Sequence, residues 1–160
     1  MKTVSLNWLV PLVLALGLAG CAGKVPLLSP APTVVRLQIA ADAAVNPDAH
    51  GRPTPVVVRY YLLGNPGAFE SADFFSLFDS DEKTLGATLV SREEITLRPG
   101  ETRASELKPQ TEVKSVGVFV AFRDVNKTVW RATAPVPQNK TTTFAVSVQR
   151  DKVSIVAQPR

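Results

Sequence analysis

Chemistry in this chain would have to come from very few side chains. Its 160 residues include one Cys and one His, Cys21 and His50. A zinc site takes three or four His, Cys or carboxylate ligands, and a Ser-His-Asp hydrolase needs a His held between its Ser and Asp. A lone Cys forbids an internal disulfide. His50 lies in a polar stretch with no second His or Cys beside it, so it reads as solvated rather than as a base or ligand. Asp79, Asp81 and Glu82 cluster after an apolar run. A calcium loop would need a Gly at its sharp turn and a bidentate acid further on, so the cluster reads as a solvated helix end. Glu93 and Glu94 are adjacent on an expected strand, hence on opposite faces, and cannot pair as acid and base. No G-x-S-x-G, H-E-x-x-H, Walker lysine loop or G-x-G-x-x-G occurs. The expectation is no enzyme, no cofactor, no metal and no small-molecule substrate.

Cys21 has a different chemistry open to it. Residues 1–20 have the parts of an export signal: Lys2, an apolar stretch from Leu6 to Leu18, and small residues at Ala19-Gly20. The apolar stretch is too short for a membrane span, which takes about 20 residues. Leu18-Ala19-Gly20-Cys21 resembles the bacterial lipobox, in which the Cys is lipidated and becomes the new amino terminus. A thioether-linked diacylglycerol and an N-acyl chain such as palmitate supply more than the two signals that stable membrane attachment needs. Ala22 stands where the inner-membrane retention signal of such lipoproteins prefers Asp. The expected location is therefore the outer membrane, anchored in the inner leaflet and facing the periplasm.

The rest of the chain must position whatever lies beyond the anchor. Residues 21–32 carry Pro26, Pro30 and Pro32. Proline extends such a stretch at about 3.1 Å per residue, giving a tether of about 30 Å. Residues 33–160 are long enough for one domain with its own core. The formal charge of +4 is spread singly along the chain, without the clustered patch that nucleic-acid binding requires.

Val35, Leu37 and Ile39 alternate with Arg36 and Gln38, the period of a half-buried strand. Asp42 to Thr54 is a long loop stiffened by Pro47 and Pro53. Pro55 to Leu63 is almost continuously apolar and predicts a central strand. A helix follows, with Ser71 as its N-cap, Asp73 in the first turn, and Phe74, Phe75, Leu77 and Phe78 on one side. Further strands are expected at Glu94–Leu97, Val113–Phe122 and Lys127–Ala132. Thr141–Gln149 and Lys152–Ala157 read as a hairpin turning at Arg150-Asp151. Arg123 and Trp130 are expected inside the packing. About seven strands with one helical insertion make an all-β sandwich.

Two segments could bind a partner. Long loops in compact domains usually carry function, which points to Asp42–Thr54. The Phe-rich helix reads first as a cover for one sheet face, and would become a docking site only if it left an exposed patch.

Seven pieces of the chain, in order, resemble one family. They are the lipobox, Asn46-Pro47-Asp48 with Gly51-Arg52-Pro53, VVVRYYL at 56–62 and FESADFFSLFDSD at 69–81. LRPGE at 97–101, GVFVAFRD at 117–124 and Trp130-Arg131 complete the set. The family is the outer-membrane lipoprotein of the type VI secretion membrane complex, TssJ/SciN/VasD. The resemblance implies a transthyretin-like two-sheet β-sandwich of about seven to eight strands with a short helical insertion. It implies a structural role, tying the complex to the outer membrane by binding the periplasmic domain of the TssM (IcmF-like) inner-membrane subunit. It also implies that the first inter-strand loop makes that contact, here through Asn46, Pro47, Asp48, His50 and Arg52, with Asn46, Asp48, His50 and Arg52 as polar tips. Two other readings are weighed against it. One is a hydrolase on the same fold, for which the chain lacks His residues. The other is a glycan or small-ligand module using Tyr60, Tyr61 or Trp130 as stacking platforms.

Overall fold

The computed structural model describes residues 30–159. The export signal, Cys21 and most of the tether lie outside the described residues. Eight strands form two four-stranded sheets. They are β1 (Val34–Ala41), β2 (Val56–Leu63), β3 (Leu89–Leu97), β4 (Thr102–Leu107), β5 (Ser115–Ala121), β6 (Arg131–Pro135), β7 (Thr141–Val148) and β8 (Val153–Ala157). One sheet runs β4-β1-β7-β8 and the other β3-β2-β5-β6. Among these strands, only β1 and β7 pair in parallel.

Alternation decides the layers. Val35, Leu37 and Ile39 of β1 and Phe144, Val146 and Val148 of β7 face Val58, Tyr60 and Leu62 of β2 and Val116, Val118 and Val120 of β5 across one dry core. The other face of β2 and β5 is also apolar, because a third layer covers it. Two helices lie there, α1 (Gly67–Ser71) and α2 (Phe74–Leu85). Between them and the sheet, Tyr61, Leu63, Phe69, Phe74, Leu77, Leu85 and Phe119 form a second core. This double burial explains why β2 reads as continuously apolar. Gly117 on β5 is required there: a Cβ would stand 3.1 Å from the Phe69 ring and 3.2 Å from Leu63.

The helical segment differs from its expected form. Ser71 is the last residue of α1, and Asp73 is the N-cap of α2, accepting a hydrogen bond from the Ser76 amide at 3.0 Å. Phe74 and Leu77 are buried, but Phe75 and Phe78 are not. Helical spacing puts Phe75 nearly a third of a turn from Phe74, away from the sheet.

Asp81, expected to be solvated, is only 8% exposed. α2 kinks at Ser80 (φ −149°, ψ 43°). The Glu82 amide, which would serve the Phe78 carbonyl in a regular helix, donates instead to the Asp81 carboxylate at 2.9 Å. Arg59 of β2 takes up the freed carbonyls, donating to Leu77 at 3.0 Å and Phe78 at 2.8 Å, and pairs with Glu94 at 2.6 Å. Arg92 and the Tyr61 hydroxyl donate to Asp81 at 2.6 and 2.9 Å. Burial pushes the Asp81 carboxyl up, but these hydrogen bonds and the charges of Arg92 and Arg59 outweigh it and hold the group below the usual carboxylate range. Arg131 of β6 plays the matching part for α1, donating to the carbonyls of Phe69 and Ala72.

The two ends of the sandwich are distinct. β1 starts where residues 30–33 enter the sandwich, with the Val34 amide on the Lys140 carbonyl at 3.1 Å, and runs away from that end. The loop after β1, the turn at 98–101, the segment 122–130 and the turn at 149–152 therefore gather at the opposite end. The separation is about 25 Å, the length of an eight-residue strand.

Candidate functional site

The loop from Asp42 to Thr54 has a defined shape at the end of the sandwich that β1 runs toward. Its start is held by the Ala44 amide on the Asp42 carboxylate at 2.6 Å and the Asp42 amide on the Val148 carbonyl at 2.8 Å. Val45 is fully buried among the core residues. The Asn46 amide donates to the Arg150 carbonyl at 3.1 Å, and the Thr54 amide closes the loop on the Val45 carbonyl at 3.2 Å.

Of the five predicted contact residues, Asn46 is not a tip. It is 4% exposed. Its side-chain amide donates to Thr54 Oγ1 and the Pro55 carbonyl at 3.1 and 2.9 Å, and its oxygen accepts the Arg123 amide at 2.9 Å. Its φ of +48° is a left-handed conformation that Asn tolerates better than most residues. Its hydrogen bonds to Thr54, Pro55 and Arg123 hold it inward, so it shapes the loop rather than presenting itself. Pro47 is half-buried.

Asp48 organises the tip. Its carboxylate accepts the backbone amides of His50 and Arg52, each at 2.9 Å, and the Arg52 guanidinium at 2.8 Å. Gly51 (φ +78°) permits the tight return, with its amide on the Asp48 carbonyl at 2.9 Å. The Arg52 amide and guanidinium, with the His50 amide, hold the Asp48 carboxyl below its ordinary value. His50 is exposed, and the Arg52 side chain is 74% exposed. The outward chemistry is thus one imidazole and one guanidinium on a pre-formed turn.

Sequence reasoning missed Thr54 and Arg123. Thr54 Oγ1 accepts Arg123 Nε–H at 3.1 Å and donates to the Asn46 carbonyl at 2.5 Å. Arg123 is exposed at this end rather than packed within the sandwich. Polar residues bracketing a long loop were the available signal, but their partners lie up to 77 positions apart. Beside the loop, a shallow cavity of about 270 Å³ is lined by Asn46, Pro47, Asp48, Phe122, Lys127 and Arg150 among others. It links the loop base to the 124–128 segment leading into β6.

The stacking platforms of the ligand-module reading are not open. Tyr60 and Tyr61 are buried, and the Tyr60 hydroxyl donates to Glu93 at 2.5 Å. Trp130 is half-buried, edge-on to Phe74 and Phe119 and covered by the Arg131 guanidinium at 4.7 Å. Among the described residues, no cluster of three or more His, Cys, Asp or Glu could hold a metal ion. No helix among them is long and apolar enough to cross a membrane.

A family model described as "Type VI secretion lipoprotein, VasD, EvfM, TssJ" matches residues 33–151. The chain belongs to this family. Its fold agrees with solved members. The T6SS lipoprotein TssJ1 from Pseudomonas aeruginosa is 35% identical, with a TM-score of 0.77, covering 81% of this chain and 98% of that one. A chain in the structure described as "Type VI membrane complex" is 28% identical, with a TM-score of 0.63, covering 80% and 99%. A chain in the structure described as "T6SS protein TssM C-terminal domain (869-1107) from EAEC" is 27% identical, with a TM-score of 0.59, covering 78% and 99%. No curated protein matches this chain. The family supports membrane association and a role in the type VI secretion membrane complex.

Proposed function

We propose that this protein is the structural lipoprotein that ties the type VI secretion membrane complex to the outer membrane. Cys21 carries the lipids in the inner leaflet, the 22–32 tether spans the gap, and the 42–54 loop binds the periplasmic domain of a TssM-like inner-membrane subunit. The observation that carries this reading is the opposition of the two ends: β1 starts from residues 30–33 at one end and delivers a pre-ordered loop at the other. A loop already folded loses little entropy on docking. Several such contacts in one assembly add avidity to modest single ones. No catalytic step is part of this function.

Calorimetric titration of the 22–160 fragment with the carboxy-terminal periplasmic domain of the TssM-like subunit tests it. Arg52→Glu, which reverses an exposed charge and breaks its pair with Asp48, is expected to weaken binding by more than the roughly 0–1 kcal/mol of stability that an exposed ion pair carries. Replacing Asp48–Gly51 by a Gly/Ser linker, which leaves the buried Val45 and Asn46 in place, is expected to abolish binding. Absence of binding by the unmodified fragment rejects the reading. Equal losses of stability and affinity in Arg52→Glu would make the loop part of the fold alone.

A further inference from the structure

The helical layer presents aromatic surface that its own packing does not use. Phe75 is 64% exposed and Phe78 40%. They are joined into one patch through Phe74, whose ring lies 5.3 Å from Phe75, 5.7 Å from Phe78 in a stacked arrangement, and 5.3 Å from Trp130. Contiguous exposed aromatics of this kind mark interaction surfaces on otherwise polar proteins. The patch also rests on a rigid base. Phe78 lies over the Arg59 guanidinium at 5.5 Å, and Arg59 is fixed by Glu94 and two helix carbonyls.

Charge selects the occupant. Asp79 follows Phe75 by one helical turn on the same face, and Asp73, Asp79 and Glu82 are all exposed on this element, against one cation, Lys83. The Arg59 and Arg92 charges beneath are balanced by Glu94 and Asp81, and the Arg131 guanidinium lies over Trp130 at the far edge of the patch, away from Asp79 in sequence. A second copy docked face to face would set Asp79 against its own equivalent, and an anionic bilayer would be repelled. An apolar segment carrying Lys or Arg fits both the rings and the rim. The patch is also continuous with the candidate loop. Trp130, at its edge, hydrogen-bonds through its carbonyl to Val120 in the half of β5 toward the loop's end of the sandwich, and the 124–128 segment leads from there to the cavity beside Asn46 and Asp48.

We infer that Phe75 and Phe78 form a second docking surface for a cationic, apolar segment of the same periplasmic subunit that the 42–54 loop binds. The inference rests on the proposed function for the identity of that partner. The mature lipoprotein in detergent is titrated with the TssM-like periplasmic domain at low and high salt. Phe75→Ser, alone and with Phe78→Ser, is expected to weaken binding about tenfold. Asp79→Lys is expected to weaken it and to flatten its salt dependence. The single Phe75→Ser variant guards against misfolding, because its ring is mostly in solvent and the melting temperature should not move.

If the Phe variants bind within about twofold of the unmodified protein while Arg52→Glu weakens binding, the patch assignment fails and the loop reading stands. If the unmodified protein does not bind, both fall. A photoreactive benzoylphenylalanine at position 75 should cross-link the TssM-like domain in the assembled complex. Cross-linking only to phospholipid or to a second copy overturns the inference.

Discussion

Asp81 and Asp48 show how far a carboxylate's role depends on what folds around it. From the sequence, Asp81 reads as part of a solvated helix end and Asp48 as a polar tip of the loop. Asp81 is instead the acceptor at which β2, β3 and the kinked helix meet, through Tyr61, Arg92 and Arg59. Removing one partner of a buried ionic cluster leaves the others uncompensated, so Asp81→Ala is expected to cost about 3–5 kcal/mol in chemical denaturation. The pH dependence follows from the same contacts. The folded carboxyl titrates below its ordinary value of 3.8, so its contribution to stability is fully present above that pH. It is lost as pH falls through the depressed folded value. Denaturation midpoints should be flat from neutrality to about pH 5 and then fall, with a shallower fall in Asp81→Asn. An equal acid slope in both proteins would show that other carboxylates carry it.

At the scale of elements, the helical layer depends on β5 keeping one position empty. Phe69 is fully buried against Gly117, and a methyl group there would crowd both Phe69 and Leu63. Gly117→Ala is expected to destabilise by about 1–3 kcal/mol through overpacking. A thermal melt checks this, and an unchanged midpoint would mean that α1 shifts freely on the sheet. The strands themselves were unequally legible. β1 and β7 alternate clearly, β2 and β5 are apolar almost throughout, and these strands with β8 lie close to their expected positions. β4 was missed because it is an edge strand with a single buried residue, Leu107. β3 begins at Leu89, earlier than expected, because it is an edge strand of the other sheet and only Leu97 of its residues is buried. Hydropathy registers only strands with a buried face, whereas edge strands are set by pairing to a neighbour.

At the scale of the whole molecule, the proposed anchor lies outside the described residues, and the candidate loop sits at the end of the sandwich that β1 runs toward. Cys21→Ser should therefore release a folded, soluble protein that no longer supports secretion, because it removes the lipids and leaves the core intact. Fractionation with circular dichroism checks the first part and a secretion assay the second; full secretion by the variant would reject the anchoring reading. The sequence alone determined the fold class, the lipobox resemblance, the place of the long loop after the first strand and the family, because each is a local pattern of residue types. The tertiary structure decided which members of those patterns face outward. It turned Asn46 inward to join Thr54, Pro55 and Arg123, buried Asp81 among arginines, and left Phe75 and Phe78 in solvent above a sheet they were expected to cover. The reason is that polar satisfaction and helix rotation depend on neighbours far along the chain. A one-dimensional pattern records that a residue is polar or aromatic, but not what will stand beside it.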